Sequence, residues 1–124
     1  VNLAPADGTG LRKILTALQR SEAVGILPDQ VADKGQGEIA DFFGRPAYTM
    51  VLTNKLIKRT EASIIMVYGE RLKNGRGFDI HLKSIKRENI STSLDLNKEL
   101  ELFIRKNPTQ YYWSYDRFKK IVNK

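Results

Sequence analysis

The pair Asp29-Gln30 ends the segment LPDQ at residues 27 to 30, directly after the short apolar run from Ala23 to Leu27. Open α/β sheets bind their ligands just outside the carboxyl ends of their strands, which is where this pair would fall. The competing use of such a pair is a turn in which the Asp bonds local backbone. Phe42 and Phe43 come next, in a stretch rich in Gly and charge and ahead of a Gly-Arg-Pro corner. Neighbouring side chains diverge, so two adjacent phenylalanines do not easily share one core, and one of them is expected to line a groove.

Other chemistry is thinly supplied. His81 is the only histidine, on the polar face of an alternating strand, and its neighbours at useful spacing are Lys83, Lys86 and Arg87. It is read as a surface residue rather than a general base, so no catalytic residue is assigned. With no cysteine, one histidine and scattered carboxylates, neither a disulfide nor a metal site is expected, and no cofactor is implied. Gly35, Gly37 and Gly44 lack the spacing and the following Lys-Ser or Lys-Thr of a phosphate-cradling loop.

Charge narrows the partners by class. Twenty-one Lys and Arg against fourteen Asp and Glu leave a net +7, which favours phosphates, nucleic acid, acidic proteins or a lipid surface. Arg71, Lys73 and Arg76 flank an Asn-Gly turn, while Arg117, Lys119 and Lys120 crowd the tail. On one side of the molecule these would form a single basic surface for anionic contacts. The rings Tyr111, Tyr112, Trp113 and Tyr115 precede the tail's basic residues. They are a stacking platform for nucleic acid, an interfacial belt, or a short C-terminal helix that closes the core. A platform exposes several rings; a closing helix buries most of them.

The elements that must position these groups are legible in outline. A length of 124 residues suits one domain, read as a single α/β unit over residues 1–124. Leu11, Ile14, Leu15 and Leu18 make one stripe of a helix from Thr9 to Arg20, with Asp7 or Thr9 as N-cap. Ala23 to Leu27, stopped by Pro28, reads as a buried strand, Ala47 to Thr60 as a helix, and Ser63 to Tyr68 as a second strand. That order implies a parallel strand pair joined by a right-handed crossover. Asn74-Gly75 signals a tight hairpin, after which Phe78, Ile80 and Leu82 share one face. Ser93 or Asp95 caps a last helix whose stripe is Leu96, Leu100, Phe103 and Ile104, ended by Pro108. No run approaches the roughly 18 apolar residues of a membrane span. The chain starts at Val1 without an initiator Met, and is expected to be a piece of something longer.

Several of these pieces, taken in order, resemble a known family. A helix is followed by LPDQ at 27–30 and FFGRPAYT at 42–49, then by a helix with Leu56 and a β run with Arg71. IRKNPTQYYWSYDRFK at 104–119 ends the series. Together they resemble the C-terminal portion of the late acyltransferases of lipid A biosynthesis, the lauroyl and myristoyl acyltransferases. Their terminal signature is Ile-Arg, Pro-x-Gln-Tyr, Trp and Arg-Phe-Lys. The resemblance covers almost the whole chain. It implies a glycerolipid-acyltransferase-like α/β fold, a mixed sheet with flanking helices, at the cytoplasmic face of the bacterial inner membrane. It also implies transfer of a fatty acyl chain from acyl carrier protein to a hydroxyl of a lipid A precursor, with no nucleic acid involved.

By the same resemblance, Asp29 and Gln30 would hold the acceptor, and Phe42 and Phe43 would border the acyl path. Arg71, Lys73, Arg76, Arg117 and Lys119 would meet anionic groups. The family's catalytic pair is a His followed after four residues by Asp or Glu. Here His81 is followed at the fifth position by Lys86 and comes after the Asp-Gln pair instead of before it. The pair is therefore expected upstream of Val1, and the chain alone is expected to be inactive. SIIMVYGER also lacks the Pro that relatives carry in that strand. The alternative reading is a basic nucleic-acid-binding α/β module without catalysis.

Overall fold

The clearest periodic stripe of the sequence becomes the helix around which the rest is arranged. In the computed structural model, which describes residues 2–5 and 8–119, that helix is Ser93–Lys106. It is the last of three, after α1 (Gly8–Gln19) and α2 (Leu52–Arg59), and is called α3. It buries Leu96, Leu100, Phe103 and Ile104, each contributing about 1.5–3 kcal/mol relative to full exposure. Its start is a capping box. The Thr92 hydroxyl accepts from the Asp95 N–H, and the Asp95 carboxylate accepts from the Thr92 N–H at 2.9 Å. The cap is thus Thr92, one residue before the expected Ser93.

Two hairpins pack on this helix. The first pairs β1 (Gly37–Phe42) with β2 (Arg45–Met50), antiparallel, with Phe42 opposite Arg45. Only Phe43 and Gly44 remain for the turn, and both have positive φ, 50° and 72°, as a two-residue primed turn requires. A phenylalanine there is unusual, since the left-handed region costs an ordinary residue about 1–2 kcal/mol. Local contacts oppose that cost. Glu101 of α3 accepts the Phe43 N–H at 2.7 Å, and the ring meets Phe42 and Trp113 edge-on at 4.8 and 5.4 Å. The Gly-Arg-Pro corner is therefore a hairpin turn, and Phe42 goes into the core while Phe43 folds over it.

The expected helix from Ala47 to Thr60 is corrected by this pairing: residues up to Met50 are strand, and helix begins only at Leu52. Ala47 and Thr49, two apart, are the buried members of β2. The second hairpin, β3 (Ile64–Arg71) with β4 (Phe78–Ile85), turns through Asn74 and Gly75, also at positive φ. Arg87 then ties the end of α2 into place, donating to the last carbonyls of Ile57 and Thr60 and to Ala62 at 3.1 Å.

Residues 22–27 carry no strand hydrogen bonding, so the expected strand there is not found among the described residues; the second expected strand is present as β3, but it pairs antiparallel with β4 instead of parallel across a crossover. Leu27 points outward, and the segment faces β3 across a cavity rather than pairing with its edge. Among the described residues the architecture is a small α/β fold of three helices and two separate two-stranded antiparallel sheets. α1 keeps the predicted stripe, half-buried, but begins at Gly8, which places Thr9 inside it; Asp7 lies outside the described residues. The core joins the two halves through Phe42, Ala47, Ile85, Ile90, Leu96, Leu100 and Ile104.

Candidate functional site

The gap between residues 24–29, α2, β3 and α3 is a cavity of about 600 Å³. Its walls are apolar: Leu18 from α1, Ile57 from α2, Met66 from β3, and Leu100, Phe103 and Ile104 from α3. Among the described residues, Asp29 is the one charged side chain in its lining. A mostly apolar hollow with a single carboxylate suits a ligand that is mostly hydrocarbon with a polar end.

The Asp29 loop is held by the far end of the chain. Tyr111 lines the cavity together with Asp29, and the Tyr115 hydroxyl accepts the Val31 N–H at 2.9 Å. Val31 also bridges to Thr49 of β2. Burial raises the Tyr111 phenol to about 12, helped by the charge of Asp29. Tyr111 therefore stays protonated across the whole neutral range. The LPDQ and PTQYYWSYDRFK segments, far apart in sequence, form one structure here.

Beneath the loop lies a buried polar cluster. Arg117 is only 2% exposed, donating to the Tyr48 carbonyl at 2.9 Å and the Thr49 hydroxyl at 2.8 Å. The same hydroxyl accepts from Asn97 Nδ2 at 3.0 Å and donates to the Ala47 carbonyl. Asn97 reaches on to the carbonyl of Asp41 at 3.0 Å. Burial lowers the Arg117 guanidinium from its ordinary value, against the opposing pull of Tyr111, Tyr115 and Asp29. On the rim, the Tyr48 hydroxyl accepts the N–H groups of Gly35 and Gly37, both at 3.1 Å, which fixes the loop's return to β1.

Of the acceptor, acyl-path and anionic-contact residues expected from sequence, Asp29 alone lines the large cavity; Tyr111, one of the tail rings, lines it too. Gln30 is exposed beside it. Phe42 and Phe43 line a second, smaller cavity of about 470 Å³, walled also by Arg45, Trp113 and Phe118. Arg117 is not a surface contact, because its charge is spent inside on β2. Arg71, Lys73, Arg76 and Lys119 are exposed; Lys120 lies outside the described residues. Gln110 joins the hairpin to the tail by exchanging two hydrogen bonds with the Arg71 backbone, at 2.7 and 3.0 Å. His81 is half-buried, stacked on Tyr68 at 4.5 Å with its Nε2 on Glu70 at 2.9 Å. That partner lies diagonally across the hairpin, where counting along the chain does not reach.

Among the described residues, up to Lys119, the tail does not form the helix that was one of its alternatives; a short 3-10 turn at Pro108–Gln110 leads into irregular chain. Its rings divide, with Tyr111 and Tyr115 tied inward and Tyr112 and Trp113 exposed, at 70% and 52%. Trp113 still packs on Phe43 and Tyr111 and donates to the Pro108 carbonyl at 2.7 Å. Tyr111, Tyr115, Tyr48, Thr49 and Asn97 were not separable as site residues in the sequence, since none has a distinctive spacing.

Comparison with known proteins points one way. Residues 2–120 match the family model described as bacterial lipid A biosynthesis acyltransferase. The chain is 26% identical over 111 residues to a lipid A biosynthesis acyltransferase of Haemophilus influenzae, covering 87% of this chain and 35% of that protein. It thus spans about a third of the length of the curated relative it matches.

Proposed function

This chain belongs to the bacterial lipid A biosynthesis acyltransferase family, and from that premise we propose that it is part of an enzyme transferring a fatty acyl chain from acyl carrier protein to a hydroxyl of a lipid A precursor. The observation that carries the reading is the apolar cavity of about 600 Å³ with Asp29 as its one charged group among the described residues. The acyl chain lies along Leu18, Ile57, Leu100 and Ile104, and Asp29, near Tyr111, meets the polar acceptor with Gln30 beside it. The acyl path suggested by sequence thereby moves. Phe42 is sealed in the core and gives no wall to the larger cavity.

In this scheme the acceptor hydroxyl attacks the thioester carbonyl, a base takes its proton, and the carrier's thiolate leaves. The base comes from outside these residues, because His81, the chain's one histidine, is not part of the cavity's lining. The chain supplies substrate walls and an acceptor contact, and on its own is inactive. Exposed Arg71, Lys73, Arg76 and Lys119 face the phosphates of anionic lipid at the cytoplasmic side of the inner membrane. The nucleic-acid reading gains little support, since two of the four tail rings, Tyr111 and Tyr115, are engaged at the Asp29 loop.

The test is donor preference. In the full-length protein, Leu18→Trp narrows the cavity from its half-buried wall and is expected to favour shorter acyl donors over longer ones. Unchanged preference across donor lengths, with the variant folded and active, would remove the acyl chain from this cavity.

A further inference from the structure

The β3–β4 hairpin has two unlike faces. On one, Tyr68 meets Phe103 at 5.5 Å and Lys83 pairs with Glu99 at 2.9 Å, so α3 covers it. On the other, Val67 stands opposite Leu82, Gly69 opposite Ile80, and Arg71 opposite Phe78, with Ile65 next in line. Ile65, Val67, Phe78, Ile80 and Leu82 are each 58 to 69% exposed. They form one aliphatic and aromatic patch, and Arg71, at the turn end, is its only charge. Soluble monomers rarely leave such contiguous patches bare, and a two-stranded sheet with one face uncovered is marginal by itself.

We propose that the apolar part of this outer face, short of Arg71 at its turn end, is covered by the remainder of the same polypeptide, the part corresponding to the two-thirds of the relative that lies outside the 111 aligned residues. Length supplies the occupant, because the alignment takes up only 35% of that protein. Chemistry favours it over a lipid surface. The patch has no Trp or Tyr at its edge strands' exposed positions, and its basic residues gather at the turn end and do not ring it. Gly69 makes a dent in the middle: a methyl group added there would meet only the Ile80 side chain, at 3.5 Å. A mid-strand glycine with open space above it suits the close approach of another element. Ile65, Val67 and Gly69 also border the large cavity. The covering element therefore closes one side of that cavity.

The experiment uses the full-length protein, cleared of any cysteine elsewhere, since this chain has none. Leu82→Cys and Val67→Cys are labelled with a water-soluble maleimide and compared with Lys34→Cys in an exposed turn. Labelling is expected to be at least about tenfold slower than at the control, and to become equal after denaturation. A photoreactive residue at Leu82 should cross-link to a peptide of the same chain outside residues 1–124. Labelling as fast as the control, or cross-links to lipid or to a second copy, overturns the proposal. Neither readout depends on acyl transfer, so the reading of the cavity stands or falls separately.

Discussion

Replacing Arg117 probes whether the tail's positive charge is structural or presented to a partner. Its two hydrogen bonds to the Tyr48 carbonyl and the Thr49 hydroxyl come from an ionised donor that is 2% exposed, and such bonds contribute about 1.5–3 kcal/mol each. Arg117→Met keeps the stem's packing on Phe42, whose ring centre lies 5.4 Å from the guanidinium carbon, but removes both bonds. Losing the charge also removes its desolvation cost, so the net loss is placed at about 2–4 kcal/mol. At this chain length one kcal/mol moves the unfolding midpoint by about 4 °C, so Arg117→Met should lower the Tm by about 8–16 °C. Arg117→Lys, which keeps the charge but cannot reach both acceptors in a fork, should fall between. Circular dichroism melts of the three proteins decide it. A surface arginine changes stability by no more than about 0.5 kcal/mol. A Tm for Arg117→Met within about 2 °C of the parent would refute the burial argument and return Arg117 to the exposed basic set.

Gly37→Ala should destabilise markedly, because the new methyl would lie 2.7 Å from the Thr49 carbonyl and 2.8 Å from the Ala32 side chain; a melt unchanged from the parent would show that β1 shifts freely. Asp95 is held below its ordinary value chiefly by the Thr92 hydroxyl, so its capping contribution is present above the unfolded value of 3.8 and lost as pH falls through the lower folded one. Thr92→Ala should accordingly cost less stability in acid than at neutral pH, which urea melts at the two pH values would check. Asp29→Asn removes the charge that helps hold the Tyr111 phenol at about 12. Spectrophotometric titration should then show one tyrosine ionising earlier, though burial keeps it above 10.0. Co-sedimentation with anionic vesicles should be weak, salt-sensitive and reduced by neutralising Arg71, Lys73 and Arg76 together; equal binding to neutral vesicles would assign these charges to solubility.

α3 was legible because one face of a 14-residue helix repeats its apolar groups without interruption and ends at a proline. β2 was misread for a physical reason. Ala47, Met50 and Val51 fit a helical stripe, but pairing with β1 imposes a period of two, and that pairing depends on a turn whose first residue is Phe43 at positive φ. Asn74-Gly75 gave its hairpin away; Phe43-Gly44 did not, because its stability comes from Glu101 and Trp113 in distant segments. The run from Ala23 to Leu27 has strand composition, but a strand also needs a neighbour, and composition says nothing of one. Asp29 could be picked from its place after an apolar run. Its partner Tyr111 could not be told from Tyr112, one residue on, which points to solvent. Nor could Arg117 be told from Lys119.

The central claim is that the large cavity receives the acyl chain, and photolabelling tests it most directly. Acyl carrier protein loaded with a chain bearing a diazirine near its end is irradiated with the full-length protein, and the modified peptides are sequenced. Labels on Leu18, Ile57, Leu100 or Ile104, suppressed by an excess of unmodified acyl donor, are the predicted result. Labels confined to Phe43, Trp113 and Phe118 of the smaller cavity, or the same labels with and without competitor, would contradict the account.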